Sequence, residues 1–374
     1  MLDADVLPSG ADDVIRSASH IQKRDVSGGA VAPSSVDTAR MRLSTVPVPY
    51  DDFRLDEPKF TSGADRELFY KLQENVNAVG ALSKDMLQGV VAHVAGGLVS
   101  HKFPCSWRTS LKQFSARTWM PARRQVAYLC PLLVPDGGSF QHFVDGVLPK
   151  LMQARHVLLA ANVSILLHPP GGRIVGQMLT RLGFSDDQLM YYYGGYYKSD
   201  HQVNTCVTPP YHPALWGAAR RLLGVRDTLQ DAATSLIILM LRSRSWKAGR
   251  RVVNVKPLLQ ALRTRYGARL HVFYGENDLD KAMALFGRAR ALVGVHGGAF
   301  YHMLFAPRGT AVVEIMPTLD SGTVLPNYAA HSAFWKLSLS MGHEYWRLVE
   351  APLTSEGNVS VNITRLVSVL DRLV

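Results

Sequence analysis

Between Ser235 and Ile315 the sequence changes its hydrophobic period again and again, and few folds accommodate that rhythm. Ser235 to Leu241 is an almost continuous apolar run, the pattern of a strand buried on both faces. Pro257 to Tyr266 has helical spacing and stops at Gly267. Leu270–Phe273 then reads as a strand, Asp280–Ala289 as a helix, and Ala291–Val295 as a strand. Ala299–Phe305 reads as a short helix and Ala311–Ile315 as another buried strand. Strands alternating with helices imply crossovers between parallel neighbours, so a parallel sheet covered by helices is expected here.

A similar alternation precedes it. Val126–Leu129 reads as a strand, Phe140–Ala154 as a helix after the Asp136-Gly137-Gly138 turn, and Ser164–Leu167 as a strand halted by Pro169-Pro170-Gly171-Gly172. Ile174–Leu182 follows as a helix, Leu189–Tyr193 and Val203–Val207 as short strands, and Pro213–Leu223 as a helix closed by Gly224. Ala64–Val79 has helical spacing, whereas Met86–Leu98 fits a helix or a strand pair. Residues 1 to about 60 are rich in Ser, Asp, Pro and Gly without sustained periodicity and read as an irregular arm or stem. The fold class expected is therefore α/β, with two Rossmann-like domains facing a cleft. The first domain spans 61–225. The second spans 226–374, its last helix packing back on the first. A hinge is expected near Gly224–Thr234, and ligands at the carboxyl ends of the strands.

Composition removes several alternatives. The net charge of +11 among 374 residues favours anionic partners, but the arginine pairs fall in scattered loops and helices, and no continuous basic face interleaved with aromatics points to nucleic acid. Three cysteines (Cys105, Cys130 and Cys206) without a C-x-x-C pair exclude a thiolate zinc site. No apolar stretch spans a bilayer, and no signal-peptide core stands at the N-terminus. Of three N-x-[ST] sequons, at Asn162, Asn358 and Asn362, the first is read as opening a buried strand.

The residues fit for chemistry cluster in three places. In Val295-His296-Gly297-Gly298-Ala299 a strand ends and a helix begins almost at once. Glycines there let an anion reach backbone N–H groups and a helix N-terminus, and His296 is placed to donate to a diphosphate. Glu314 ends the next strand, where a carboxylate can accept from ribose hydroxyls or pair with an arginine. Arg242, Arg244, Arg250 and Arg251 follow the strand that opens this domain, and arginine forks suit diphosphate oxygens. In the first domain, His142 and Asp145 are three apart on one helical face and form a candidate general base. Tyr191–Tyr193 and Tyr196-Tyr197 fit a sugar-stacking face or an ordinary amphipathic strand and turn.

Three segments resemble glycosyltransferase family 61. His296–Glu314 is similar to its "H-G-A-G-L-T-[NH] … P-x-G-[TA]-x-V-x-E" signature, with His302 in the last bracketed position and Gly298-Ala299 reversing the usual order. Arg242–Asn254 resembles its arginine-rich segment, and His142–Lys150 its "H-[FW]-x-x-D-x-L-P-[KR]" segment. Gly146 stands where the family often has Asp, and Asp145 lies one place earlier, about 100° around an α-helix. The resemblance implies a two-domain GT-B-like fold and an inverting, metal-independent transfer from a UDP-sugar co-substrate, without other cofactor. The sugar is GlcNAc or a pentose such as xylose, and the acceptor a hydroxyl of a glycan or glycoprotein. It implies donor binding by Arg242, Arg244, Arg251, His296, Gly297, Gly298, Ala299, His302 and Glu314, and deprotonation by His142 or Asp145. The secretory lumen, Golgi or endoplasmic reticulum, is the compartment it implies. A catalytically inactive glycan- or partner-binding relative is the rival reading, motivated by Gly146.

Overall fold

The computed structural model describes residues 43–72, 79–81, 88–99, 124–134, 136–160, 162–205, 209–229, 235–242, 249–319 and 332–374. In chain order its first elements are β1 (Leu43–Pro49), β2 (Arg54–Leu55), β3 (Lys59–Phe60), α1 (Gly63–Tyr70), β4 (Gly80–Ala81), β5 (Gln88–Val99) and β6 (Arg124–Pro131). A short α-turn (Phe140–His142) and a π-turn (Phe143–Val147) lead directly into α2 (Leu148–Ala160). Then come β7 (Ser164–Leu167), α3 (Arg173–Arg181), β8 (Leu189–Tyr191), β9 (Tyr197–Asn204) and α4 (Pro213–Leu223). The remainder is β10 (Leu236–Met240), α5 (Val255–Tyr266), β11 (Leu270–Phe273), α6 (Leu279–Phe286), β12 (Ala289–Val295), a 3-10 helix (Gly298–Phe305), β13 (Ala311–Pro317), α7 (Ala333–Ser340), β14 (Glu344–Glu350) and α8 (Ile363–Leu370).

The chain forms two compact units. The boundary expected at 225/226 lies instead after Pro210, and Asp52–Ser83 belongs to the second unit. In the first unit the sheet order is β1-β5-β9-β6-β7-β8. β6, β7, β8 and β9 are parallel, and β5 and β1 add antiparallel. Met86–Leu98, open between helix and strands, is strand over Gln88–Val99. The expected irregular arm proves partly ordered, since residues 43–60 hold three short strands. β1 carries Pro47 and Pro49, which hide its pattern and are tolerated because it lies at the sheet edge.

The second unit holds a six-stranded, wholly parallel sheet ordered β11-β10-β12-β13-β14-β3. β10 is buried at all five positions, as its unbroken apolar run requires. One side of the sheet packs Ile237, Leu239, Val293, Val313 and Leu348 against Leu258 and Leu262 of α5 and Leu366 and Leu370 of α8. The last helix is thus part of this unit's own core. From β10 the chain moves one way to β11 and then the other way to β12, so the order reverses between β10 and β12. Such a reversal splays the loops at the carboxyl ends apart and leaves a crevice.

The edge strand β3 comes from the N-terminal segment, and that segment is locked down by polar contacts. Arg365 donates to Thr61 Oγ1 at 2.5 Å and to the Val349 carbonyl at 2.9 Å, and pairs with Asp65. The Trp335 indole donates to the Asp56 carbonyl at 2.9 Å. The helix expected over Ala64–Val79 is α1, which ends at Tyr70; residues 73–78 lie outside the described residues.

Candidate active site

At the order reversal, β10 runs out into Leu241 and Arg242, and β12 into His296 and Gly297. Arg242 Nη2 and Arg250 Nη1 both lie 3.4 Å from the His296 carbonyl oxygen. Two guanidinium groups on one neutral acceptor repel each other, and an anion between them relieves that repulsion. The backbone supports this arrangement. Arg250 has φ of 56°, a conformation costly for a residue with a side chain, and its N–H is tied to the Glu356 carbonyl at 3.0 Å. Gly297 is extended, so its glycine is not needed for φ. The reason is proximity, because a Cβ there would collide with Arg242 Nη2. Gly298 and Ala299 begin the 3-10 helix, with Ala299 exposed.

Beside this turn lies a cavity of about 610 Å³, lined by Arg242, Arg251, Lys256, Val253, Tyr274 and Asn358 among others. Asn254 precedes α5 without capping it; its amide instead binds the Val361 backbone twice, at 2.9 Å each. The α5 N-terminus, with Val255, Lys256 and Pro257 on the cavity wall, therefore adds its positive dipole end to the three cations. Tyr274, 59% exposed, offers a flat aromatic face on the same wall.

His296 and Glu314 meet. Nδ1 of His296 is 2.5 Å from Glu314 Oε1, and Tyr345 donates to Glu314 Oε2. Glu314 has no exposed surface, so its carboxylate is turned to the imidazole and the phenol rather than to a ribose. Burial and then the Glu314 charge push the Tyr345 phenol well above its usual range, so it stays protonated as the donor. His302 is not with this group. Its ring stacks on Phe286 at 4.8 Å, lies edge-on to Phe273 at 4.9 Å, and is held by the Ala299 carbonyl at 3.0 Å. Burial lowers its pKa to about 4, so this histidine is a neutral core residue. Arg244 lies outside the described residues.

In the first unit Ser139 caps the turn that carries His142, accepting from the His142 N–H at 3.3 Å. His142 Nδ1 is 3.5 Å from Asp145 Oδ1, both side chains being partly exposed. The helix expected over Phe140–Ala154 extends to Ala160 and contains a π-turn at this place. A π-turn inserts a residue into the repeat, so the 100° displacement of Asp145 reckoned for an α-helix does not hold. Gly146 instead faces Val134, whose Cγ1 would stand 2.6 Å from a Cβ. Lys150 is buried nearby, and desolvation lowers its pKa against the raising effect of Cys130 and Asp145. Tyr192 and Tyr197 are core residues whose hydroxyls bond to backbone carbonyls, while Tyr193 is 64% exposed.

Sequence reasoning missed Tyr345, Arg347, Lys256 and Tyr274. Their strands and helix carry no glycine signature, and only the parallel register brings Arg347 opposite Glu314. Among the described residues, no three His, Cys, Asp or Glu side chains gather as a metal site, and no helix is long and apolar enough to cross a membrane. The sequon reading is corrected: Asn162 is exposed in a positive-φ turn ahead of β7, whereas Asn358 is 8% exposed and accepts from the Arg251 N–H at 2.9 Å.

Parallel α/β architecture with a glycine turn after β12 is consistent with a Rossmann-like glycosyltransferase fold. Residues 140–313 match the family model described as Glycosyltransferase 61, which supports assignment of that segment to glycosyltransferase family 61. That family implies glycosyltransferase activity in general, with a sugar donor and a glycan acceptor. Comparison with curated proteins finds no match to this chain.

Proposed function

We propose that the protein is an inverting glycosyltransferase of GT-B-like arrangement that takes a UDP-sugar donor on its second unit. It transfers GlcNAc or a pentose such as xylose to a hydroxyl of a glycan or glycoprotein in the secretory lumen. The observation that carries the donor site is Arg242, which both lines the 610 Å³ cavity and reaches the His296 carbonyl across Gly297. One residue thus joins a nucleoside-sized cavity to an amide-rich turn at the order reversal. In this reading the diphosphate lies between Arg242, Arg250, Arg251 and the N–H groups from Gly297 to Ala299, and the nucleoside occupies the cavity against Tyr274. Glu314 acts through His296 rather than on the ribose, and His302 supports the turn from the core.

In the transfer, the acceptor oxygen attacks the anomeric carbon from the face opposite the UDP, the C–O bond to the diphosphate breaks, and UDP leaves with the bonding pair. Negative charge grows on the diphosphate, and preorganised guanidinium and N–H groups favour that charge most in the transition state. They perform the work a divalent cation does elsewhere, which makes the reaction independent of added metal. His142, oriented by Asp145 at 3.5 Å, accepts the acceptor proton. That pairing favours an active enzyme over a binding relative despite Gly146. Incubation with UDP-GlcNAc and UDP-xylose, with and without EDTA, tests the reading. EDTA-insensitive release of UDP that His142→Ala abolishes supports it; UDP-sugar bound but left intact in every case makes the protein a binding relative.

A further inference from the structure

Glu314 is one of four polar groups set side by side by adjacent parallel strands. His296 follows β12, Glu314 lies on β13, and Tyr345 and Arg347 lie on β14, with Arg347 paired in register to Glu314. Glu314 and Arg347 have no exposed surface and Tyr345 has 2%. The Arg347 guanidinium lies 5.4 Å over the ring of Phe69 from α1. Apolar residues of the same size would generally be no less stabilising in such a row, so its polar character calls for another reason. Of its members, His296 leads into the donor turn.

A carboxylate can rotate to offer either oxygen to a neighbour. With the Tyr345 hydroxyl on Oε2, Oε1 is left for the imidazole, and its 2.5 Å approach fixes the ring through Nδ1. We infer that Tyr345 is a positioning residue for the donor site: through Glu314 it holds His296 protonated on Nδ1, and so holds the His296–Gly297 peptide where Arg242 and Arg250 converge. The inference rests on the proposed donor reading for its function but not for its geometry. A histidine fixed through one nitrogen by a carboxylate has its tautomer and ring orientation set, and at metal-binding histidines loss of such a partner costs about 10- to 100-fold in metal affinity or activity.

Tyr345→Phe removes one oxygen and keeps the ring, so the packing survives. Nitrogen-15 spectra of histidine-labelled protein, with His296 assigned by difference from His296→Gln, read the tautomer directly. The parent is expected to show His296 protonated on Nδ1. Tyr345→Phe is expected to show a mixture with the Nε2 form and to bind UDP on the order of tenfold more weakly, with cooperative unfolding retained. Glu314→Gln is expected to lose the Nδ1 preference as well, which assigns the effect to the carboxylate. An unchanged His296 spectrum in Tyr345→Phe overturns the inference, whatever its melting temperature. The spectra need no nucleotide, so a parent protein that ignores UDP sinks the donor reading while the tautomer still decides the role of Tyr345.

Discussion

Arg242 Nη2 lies 3.4 Å from the His296 carbonyl oxygen, and the path between them crosses Gly297 where a β-carbon would stand. The obstacle to a side chain is the far end of a flexible arginine, not backbone. Gly297→Ala is therefore expected to fold normally, with stability within about 1 kcal/mol of the parent because the guanidinium can swing away. UDP affinity should fall roughly tenfold or more, since a displaced arginine no longer offers its paired donors to the diphosphate. Calorimetric titration beside urea unfolding checks both halves. A variant that loses stability but binds normally would contradict the geometry.

Gly146 gives the opposite case, because its neighbour is the short, branched side chain of Val134. Restoring the family's usual carboxylate with Gly146→Asp should destabilise the protein by about 1–3 kcal/mol, the cost of overpacking a filled space. It should not raise transfer activity, because position 146 faces Val134 while Asp145 already stands beside His142. Denaturant midpoints and UDP release together test this.

Acid stability follows from two buried histidines. Burial lowers His302 from the usual 6.5 to about 4 and His343 to about 3. Both are neutral in the fold and become protonated in the unfolded chain below about pH 6.5, so the unfolded state binds more protons there. Stability is fully present above that value and is lost as pH falls toward 4 and then 3, by about 3 kcal/mol for His302 and about 5 kcal/mol for His343. His343→Gln should flatten the lower part of this dependence. Urea midpoints measured from pH 7 down to 3.5 read the slope, and a flat profile would refute it.

The N-terminal segment should be needed for the second unit to stand. Arg365 ties Thr61, Asp65 and the Val349 carbonyl together, and Asp65 is almost wholly buried. Arg365→Ala leaves that carboxylate without its charged partner, only the Thr61 hydroxyl still donating to it at 2.8 Å, and should cost roughly 3 kcal/mol. Equilibrium unfolding measures it, and a loss under 1 kcal/mol would show that β3 and α1 do not depend on this ion pair.

How far the sequence reveals this molecule depends on whether the signal is local. The strands of the second unit announce themselves, since burial on both faces needs unbroken runs such as Leu236–Met240, and glycines mark the turn after Val295. The pairing of His142 with Asp145 follows from spacing, whereas the π-turn beneath it has no sequence mark. The prolines in β1 disguise a strand that only an edge position permits. Glu314 looks from sequence like a ribose ligand, because Tyr345 lies 31 residues away and reaches it only through parallel register. His302 looks like a second donor-site histidine for a similar reason: the aromatic rings that enclose it come from β11, α6 and the 3-10 helix itself.

Titration of UDP into the parent protein and into Arg242→Ala tests the central claim, that the crevice between β10 and β12 holds the donor diphosphate. The parent should bind UDP with heat that saturates at one site, in the presence of EDTA. Arg242→Ala should bind on the order of tenfold to a hundredfold more weakly while unfolding at the same urea concentration. Equal affinity in the two proteins, or no binding by the parent, would contradict the account.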